Sequence, residues 1–225
     1  MTPSDISVVI PAINEESTIG LAIRSALLAG AGEVIVVDGG SDDSTILEAK
    51  KWGATKVVKS FPGRGVQLNA GAALVKATQQ VVLFLHSDNQ LNSECLKQIC
   101  ELDDPIWGAF RQQIDSPRWL YRWLEKGNDL RVLLRRMPFG DQAIFVLKEA
   151  FNRCGGFEEI PLMEDVSFSA KMRKVARPEL LRGPIQVSSR RWRRHGVIAQ
   201  TLKNWCIQVA FALGVKAETL RDWYR

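Results

Sequence analysis

The chain has 225 residues, 46% of them hydrophobic, and a formal net charge of +5. That length suffices for one core burying roughly 70% of the unfolded surface, so a single domain over 1–225 is expected. Four cysteines without a Cys-x-x-Cys pair, no basic-then-apolar leader at Met1–Asp5 and no apolar run of ~18 residues argue against a disulfide framework and a bilayer span.

Strand and helix patterns alternate through the first hundred residues. Ile6–Ile10, Glu33–Val37, Lys56–Val58 and Val81–Leu85 read as strands, and Ser17–Leu28, Ser44–Lys51, Val66–Ala77 and Ser93–Leu102 as helices. This repetition predicts an α/β fold with a mostly parallel central sheet and helices on both faces. From Ile106 the pattern changes. Trp107–Arg111 reads as a strand of antiparallel character, and Pro117–Arg135 as an amphipathic helix with Trp119 and Trp123 four residues apart. Gln142–Val146 is a strand, Lys148–Cys154 a helix stopped by Gly155-Gly156, Glu164–Lys174 a helix and Ile185–Ser188 a short strand. Gly196 onward is mainly helix. Positive charge is local: Arg190, Arg191, Arg193 and Arg194 surround Trp192, and Arg118 to Arg136 form a second basic stretch. Such patches suit polyphosphates, anionic lipid surfaces or nucleic acid, and the second reads equally well as a solvated helix face.

Three apolar strands end in acids. Val34–Val37 runs into Asp38, Ser7–Ile10 into Pro11, Asn14, Glu15 and Glu16, and Val81–Leu85 into His86 and Asp88. In open α/β sheets ligands sit beyond the carboxyl ends of the strands, so this is the layout of a sugar-nucleotide site. Ser7–Glu16, Val34–Thr45, His86-Ser-Asp88 and Met163-Glu-Asp165, in this order, resemble the family-2 inverting glycosyltransferases, over roughly residues 6 to 175. Gly63-Arg-Gly, Gln67-Leu-Asn69, Phe139-Gly-Asp-Gln142 and Ile160–Asp165 more narrowly resemble a small stand-alone bacterial branch labelled radical-SAM- or arsenosugar-associated.

The resemblance implies the GT-A nucleotide-diphospho-sugar fold, with residues 1–104 as the donor half and 105–225, including a helical C-terminus, as the acceptor half. It implies that Pro11, Asn14, Glu15 and Asp38 hold the nucleoside, Asp38 through the base. It implies a divalent metal, Mn²⁺ or Mg²⁺, on Asp88. The family's usual Asp-x-Asp has His86 in its first place here, so His86 contacts ribose or shifts the metal preference, and His195 is a candidate third ligand. Asp165 is then the catalytic base with Glu164 orienting it, both at a helix start where the dipole alone would favour acids. Arg64, with Gln67 and Asn69 nearby, reads as phosphate-binding or as a surface turn. Gly140, Asp141 and Gln142 fall on the acceptor or donor-sugar side, and Arg191, Trp192 and Arg194 form a lid over the diphosphate. The expected partners are a UDP- or GDP-sugar and a small or lipid-like acceptor, without nucleic acid. The expected place is the cytoplasm, with Trp119 and Trp123 at a membrane surface, in the core or in a homodimer contact. A non-catalytic nucleotide-sugar-binding protein and a nucleotidyltransferase of similar fold are the alternatives. The latter would want a Gly-rich basic loop where Pro11–Glu16 is acidic, and no Gly-x-Gly-x-x-Gly follows any strand.

Overall fold

The computed structural model describes residues 1–224, with the His195 side chain outside that description. The elements are β1 (Ile6–Ala12), α1 (Ile19–Leu28), β2 (Glu33–Asp38), α2 (Thr45–Lys51), β3 (Lys56–Lys59), α3 (Arg64–Ala73), β4 (Val81–Phe84), β5 (Asn89–Gln90), α4 (Cys95–Cys100), β6 (Trp107–Ile114), α5 (Trp119–Arg135), β7 (Phe145–Leu147), α6 (Lys148–Arg153), α7 (Glu164–Met172), β8 (Glu179–Val187), α8 (Arg190–His195), α9 (Val197–Ala212) and α10 (Ala217–Tyr224). The strands form one sheet in the order β3-β2-β1-β4-β7-β6-β8-β5.

Strands β3, β2, β1 and β4 are parallel, and Ala12, Asp38 and Lys59 share one register level, so three strands end at one edge. Successive side chains of β1 serve opposite faces. Val8 and Ile10 join Ile23 of α1 and Leu96 and Ile99 of α4 in one core, while Val9 joins Leu68 of α3 and Phe168 of α7 in another. Burial on both faces is why these strands read as unbroken apolar runs. Each such Val or Ile contributes roughly 1.5–3 kcal/mol. Helix α3 lies so close to β1 that a Cβ on Gly71 would stand 2.3 Å from Val9 Cγ1. Beyond β4 the sheet is mixed: β7 is antiparallel to β4 and β6, and β8 is parallel to β6.

Phe84, Phe151, Phe157 and Phe168 pack ring on ring beneath α7, with Phe157 and Phe168 stacked at 4.4 Å. That cluster fixes where α7 begins.

The structure differs from the sequence reading in a few places. Strand β8 starts six residues before the expected Ile185, where exposed positions and Gly183-Pro184 interrupt the alternation. The arginine-rich stretch, to which the sequence assigned no element, is the short helix α8. The cysteines differ in setting: Cys95 is buried but Cys206 is exposed. Trp119 and Trp123 do not pack in the core, being 67% and 65% exposed. Among the described residues no helix is long and apolar enough to cross a membrane.

Candidate active site

At the aligned strand ends the loops after β1 and β2 are laced together. Asn14 N–H donates to Ser41 Oγ (2.9 Å), Glu15 N–H to Thr45 Oγ1 (2.8 Å) and Ser44 N–H to Glu16 Oε2 (3.0 Å), while Asp42 N–H donates to Asn14 Oδ1 (3.0 Å). Ser, Thr and Asn side chains satisfy backbone donors that would otherwise be orphaned at this edge. Asp38 belongs to that lacing. It is fully buried, and its carboxylate accepts the Gly40 and Ser41 N–H groups at 3.0 Å and the Ser41 hydroxyl. Its role here is to shape the loop, and its oxygens are not open to a nucleobase.

Beside this edge lies a cavity of about 410 Å³, and His86, Asp88, Asp141, Glu164, Asp165 and Arg64 all line it. Met163, at φ 70, turns the chain into α7. A residue with a Cβ pays roughly 1–2 kcal/mol for that conformation, and such strain collects at functional sites. The turn delivers Glu164 and Asp165 to the cavity. Asp165 Oδ2 accepts Gly140 N–H and its Oδ1 accepts Val166 N–H, each at 2.8 Å. Burial pushes the Asp165 carboxyl up, but Arg64 and these N–H groups outweigh it and hold it below the usual carboxylate range. Glu164 is driven the other way by burial, although Arg64 pairs with it directly.

His86 is adjacent, because a Cβ on Gly140 would meet His86 Nε2 at 2.8 Å and Asp165 Oδ2 at 3.2 Å. Glycine at 140 lets the two groups share this space. Burial, with Arg64 and Arg191 near, lowers the His86 imidazole to about 3, so it is neutral at pH 7 and offers one donor and one acceptor. Asp88 is raised by burial and by Glu15. Arg190 bridges those two acids, donating to Glu15 at 2.9 Å and reaching Asp88 at 3.4 Å.

The 3-10 turn Gly140–Gln142 forms a further wall. The Asp141 carbonyl accepts Asn89 Nδ2 and Gln112 Nε2, both at 3.1 Å, and its Oδ1 is buried without a partner among the described residues. Beneath it, Arg131 donates to Gln142 Oε1 (2.7 Å), Met137 O and Asn128 Oδ1, with its guanidinium 3.5 Å from the centre of the Phe139 ring. Burial lowers Arg131 to about 10, opposed by Asp141 and Asp165.

The structure therefore brings eight expected residues, Arg64, His86, Asp88, Asp141, Glu164, Asp165, Arg191 and Trp192, around one cavity, with Gly140 in its wall. Others do structural work instead. Gln67 Nε2 bonds the Ala12 and Val37 carbonyls, tying β1 to β2, and Asn69 holds both the N–H and the carbonyl of Phe157. Gln142 is fully buried against Arg131, and Pro11 is buried within β1. Arg64 is the counter-ion of the α7 acids, and Gly65 is required by the Glu158 carbonyl, 2.2 Å from where its Cβ would be. Arg194 is exposed and outside the lining, and the expectation for His195 as a ligand falls outside the described side chains.

Several lining groups had no signal in the sequence. Gln200, Asn204 and Gln208 of α9 roof the cavity with Tyr224 and Arg221 of α10. Their four-residue spacing was visible, but not which way that helix face would turn.

Residues 7–160 match the family model for glycosyl transferase family 2. The chain belongs to that family. An uncharacterized glycosyltransferase of Mycobacterium bovis is 35% identical over 104 residues, covering 46% of each chain. Glucosyl-3-phosphoglycerate synthase of Mycolicibacterium smegmatis is 37% identical over 94 residues, 37% of this chain and 30% of the relative. This chain spans about half the length, or less, of the curated relatives it matches. Staphylococcus aureus TarS superposes with a TM-score of 0.64 at 20% identity, covering 84% of this chain and 61% of that one. Mycobacterium tuberculosis glucosyl-3-phosphoglycerate synthase, solved with Mn²⁺, UDP and phosphoglyceric acid, gives 0.56 at 21% identity, covering 81% and 68%. These likenesses establish the GT-A fold. The family match stops at residue 160, short of both Asp165 and the helical roof.

Proposed function

We propose that this family-2 chain transfers a glycosyl group, with inversion, from a UDP- or GDP-sugar to the hydroxyl of a small or lipid-like acceptor. The observation that carries this reading is the Asp165 carboxylate. It is held ionised by Arg64 and two N–H groups, and it lies against His86 in the cavity that also receives Asp88.

In the reaction the acceptor oxygen attacks the anomeric carbon and the bond from that carbon to the diphosphate oxygen breaks. The acceptor proton passes to Asp165. A base with a lowered pKa suffices because the diphosphate departs as an anion and needs no proton. Neutral His86 suits sugar or ribose hydroxyls, offering one donor and one acceptor. Arg191 and Trp192 line the same cavity and cover the leaving group.

The donor set fits a divalent cation. Glu15 and Asp88 already share one cation, the Arg190 guanidinium. Among the described residues no three acids, histidines or cysteines converge, as befits Mg²⁺ or Mn²⁺ held by one or two carboxylates and completed by phosphate oxygens and water. Asp88 would hold it, and bound there it would supply charge compensation to the diphosphate. The relatives solved with Mn²⁺ or Mg²⁺ and UDP support this assignment.

Asp165→Asn tests the proposal. Transfer is expected to fall at least a thousandfold while the nucleotide Kd, by calorimetry, moves less than threefold. Surviving transfer with collapsed nucleotide affinity would refute the role. A second reading, a non-catalytic nucleotide-sugar-binding protein, draws on His86 in place of an acid and on Arg190 at Asp88. Nucleotide binding without turnover over a panel of UDP- and GDP-sugars with Mn²⁺ would establish it.

A further inference from the structure

Two helices turn their polar sides inward and their apolar sides to solvent. On α5, Glu125 accepts Ile114 N–H at 2.6 Å and pairs with Arg122, Asp129 pairs with Arg111, and Asn128 bonds Gln112. Outward, at helical spacing, stand Trp119, Trp123, Leu130 and Leu134, 54–74% exposed. Lys126 lies over the Trp123 ring on the same stripe, and Arg118, Arg135 and Arg136 are exposed at its ends. The acids of this helix are thus drawn inward and the solvent face keeps only positive charge.

Helix α9 repeats the inversion. Gln200, Asn204 and Gln208 face the cavity, while Ile198, Leu202, Trp205 and Val209 are 53–65% exposed. No Asp or Glu occurs from Arg190 to Lys216, and just ahead of α9 Arg194 of α8 is exposed while Arg193 pairs with Asp115 at 3.3 Å. The two helices are joined through α8, whose Trp192 packs edge-on to Tyr121 of α5 at 5.8 Å.

An ordinary surface helix has the opposite arrangement. Apolar stripes with tryptophans, flanked by Arg and Lys and free of acids, match the acyl boundary and anionic headgroups of a bilayer. A second copy of this chain fits less well, since it would bring like-charged rims together. We propose that the outward faces of α5 and α9 dock the protein on a membrane surface containing anionic lipid.

The test is flotation of the full chain with phosphatidylcholine vesicles, with and without phosphatidylglycerol. Binding is expected only with phosphatidylglycerol and is expected to weaken with salt. Arg135→Gln with Arg136→Gln should weaken it about fivefold for each charge removed. Trp119→Ser with Trp123→Ser, and separately Leu202→Ser with Trp205→Ser, should each cut binding at least tenfold at an unchanged melting temperature. These positions are exposed, so the variants are expected to fold. No flotation with phosphatidylglycerol at low salt, or flotation indifferent to all three pairs, would overturn the proposal. So would a dimer in light scattering that the tryptophan pair abolishes.

Discussion

Substituting Gly140 by alanine adds one methyl group where His86 and Asp165 crowd together, and its cost follows from the distances. Gly140 does not have the positive φ that would exclude alanine, so the effect is steric. The new Cβ would stand 2.8 Å from His86 Nε2, about 0.6 Å inside the ordinary contact distance of 3.4 Å, and 3.2 Å from Asp165 Oδ2. Asp165 cannot simply swing aside, because the N–H of residue 140 itself holds Oδ2 at 2.8 Å. His86 and Asp165 must therefore part by about half an ångström. A misplacement of about 1 Å in a reacting constellation costs roughly a hundredfold, so kcat is expected to fall about ten- to thirtyfold, or about 1.4–2 kcal/mol in the barrier. Overpacking should lower stability by only about 1 kcal/mol. Nucleoside diphosphate release from a panel of UDP- and GDP-sugars with Mn²⁺ measures the first, and thermal unfolding the second. Wild-type kcat in a normally folded variant would show that His86 and Asp165 do not flank the reacting atoms.

Arg131→Met should destabilise by about 3–5 kcal/mol in urea unfolding, because it strips hydrogen bonds from Gln142, Met137 and Asn128 and the stack on Phe139; a loss under 1 kcal/mol would contradict that account. Glu33, fully buried at the opposite end of β2, is pushed up by burial, but Lys56 at 2.8 Å, Ser7 and the Lys76 N–H outweigh it and lower its pKa. A folded pKa below the unfolded value contributes stability above about pH 4.3 that fades as pH falls through the folded value. Glu33→Gln should thus cost about 1–3 kcal/mol at pH 7, with the gap from wild type closing below about pH 4; a gap independent of pH would be inconsistent with the ion pair. Arg190→Ala frees Glu15 and Asp88 and should tighten Mn²⁺ binding about fivefold in the absence of nucleotide, read by electron paramagnetic resonance. Weaker Mn²⁺ binding would argue against Asp88 as the metal carboxylate.

What the sequence discloses is uneven for physical reasons. Val34–Val37 and Ser7–Ile10 announce themselves because burial on both faces leaves no polar interruption, and the acids after them mark the sheet edge. Asp165 and His86 were legible because a motif carries them. The individual duties of Asp38, Gln67 and Asn69 were not, since a polar side chain near a ligand edge looks the same whether it serves the ligand or the loop beneath. Only their partners decide the matter: the Gly40 and Ser41 N–H groups for Asp38, and the carbonyls of Ala12, Val37 and Phe157 for Gln67 and Asn69. Arg131 was hidden among neighbouring arginines on α5, and its inward direction depends on where Asp141 and Gln142 come to rest. The roof residues of α9 were invisible for a related reason: with more apolar than polar positions, the helix invites the assumption that its apolar side is the buried one.

The seam between the turns after β1 and β2 has a kinetic corollary. A rim stitched by side chain to main chain surrenders its freedom when the polypeptide folds, so on the function proposed above a nucleotide would have no such ordering left to do there. What would give way instead is the guanidinium clasp from α8, a salt-sensitive bridge to both Glu15 and Asp88. Capture at that edge should then respond to ionic strength far more than to backbone flexibility, with Arg190 as its gatekeeper.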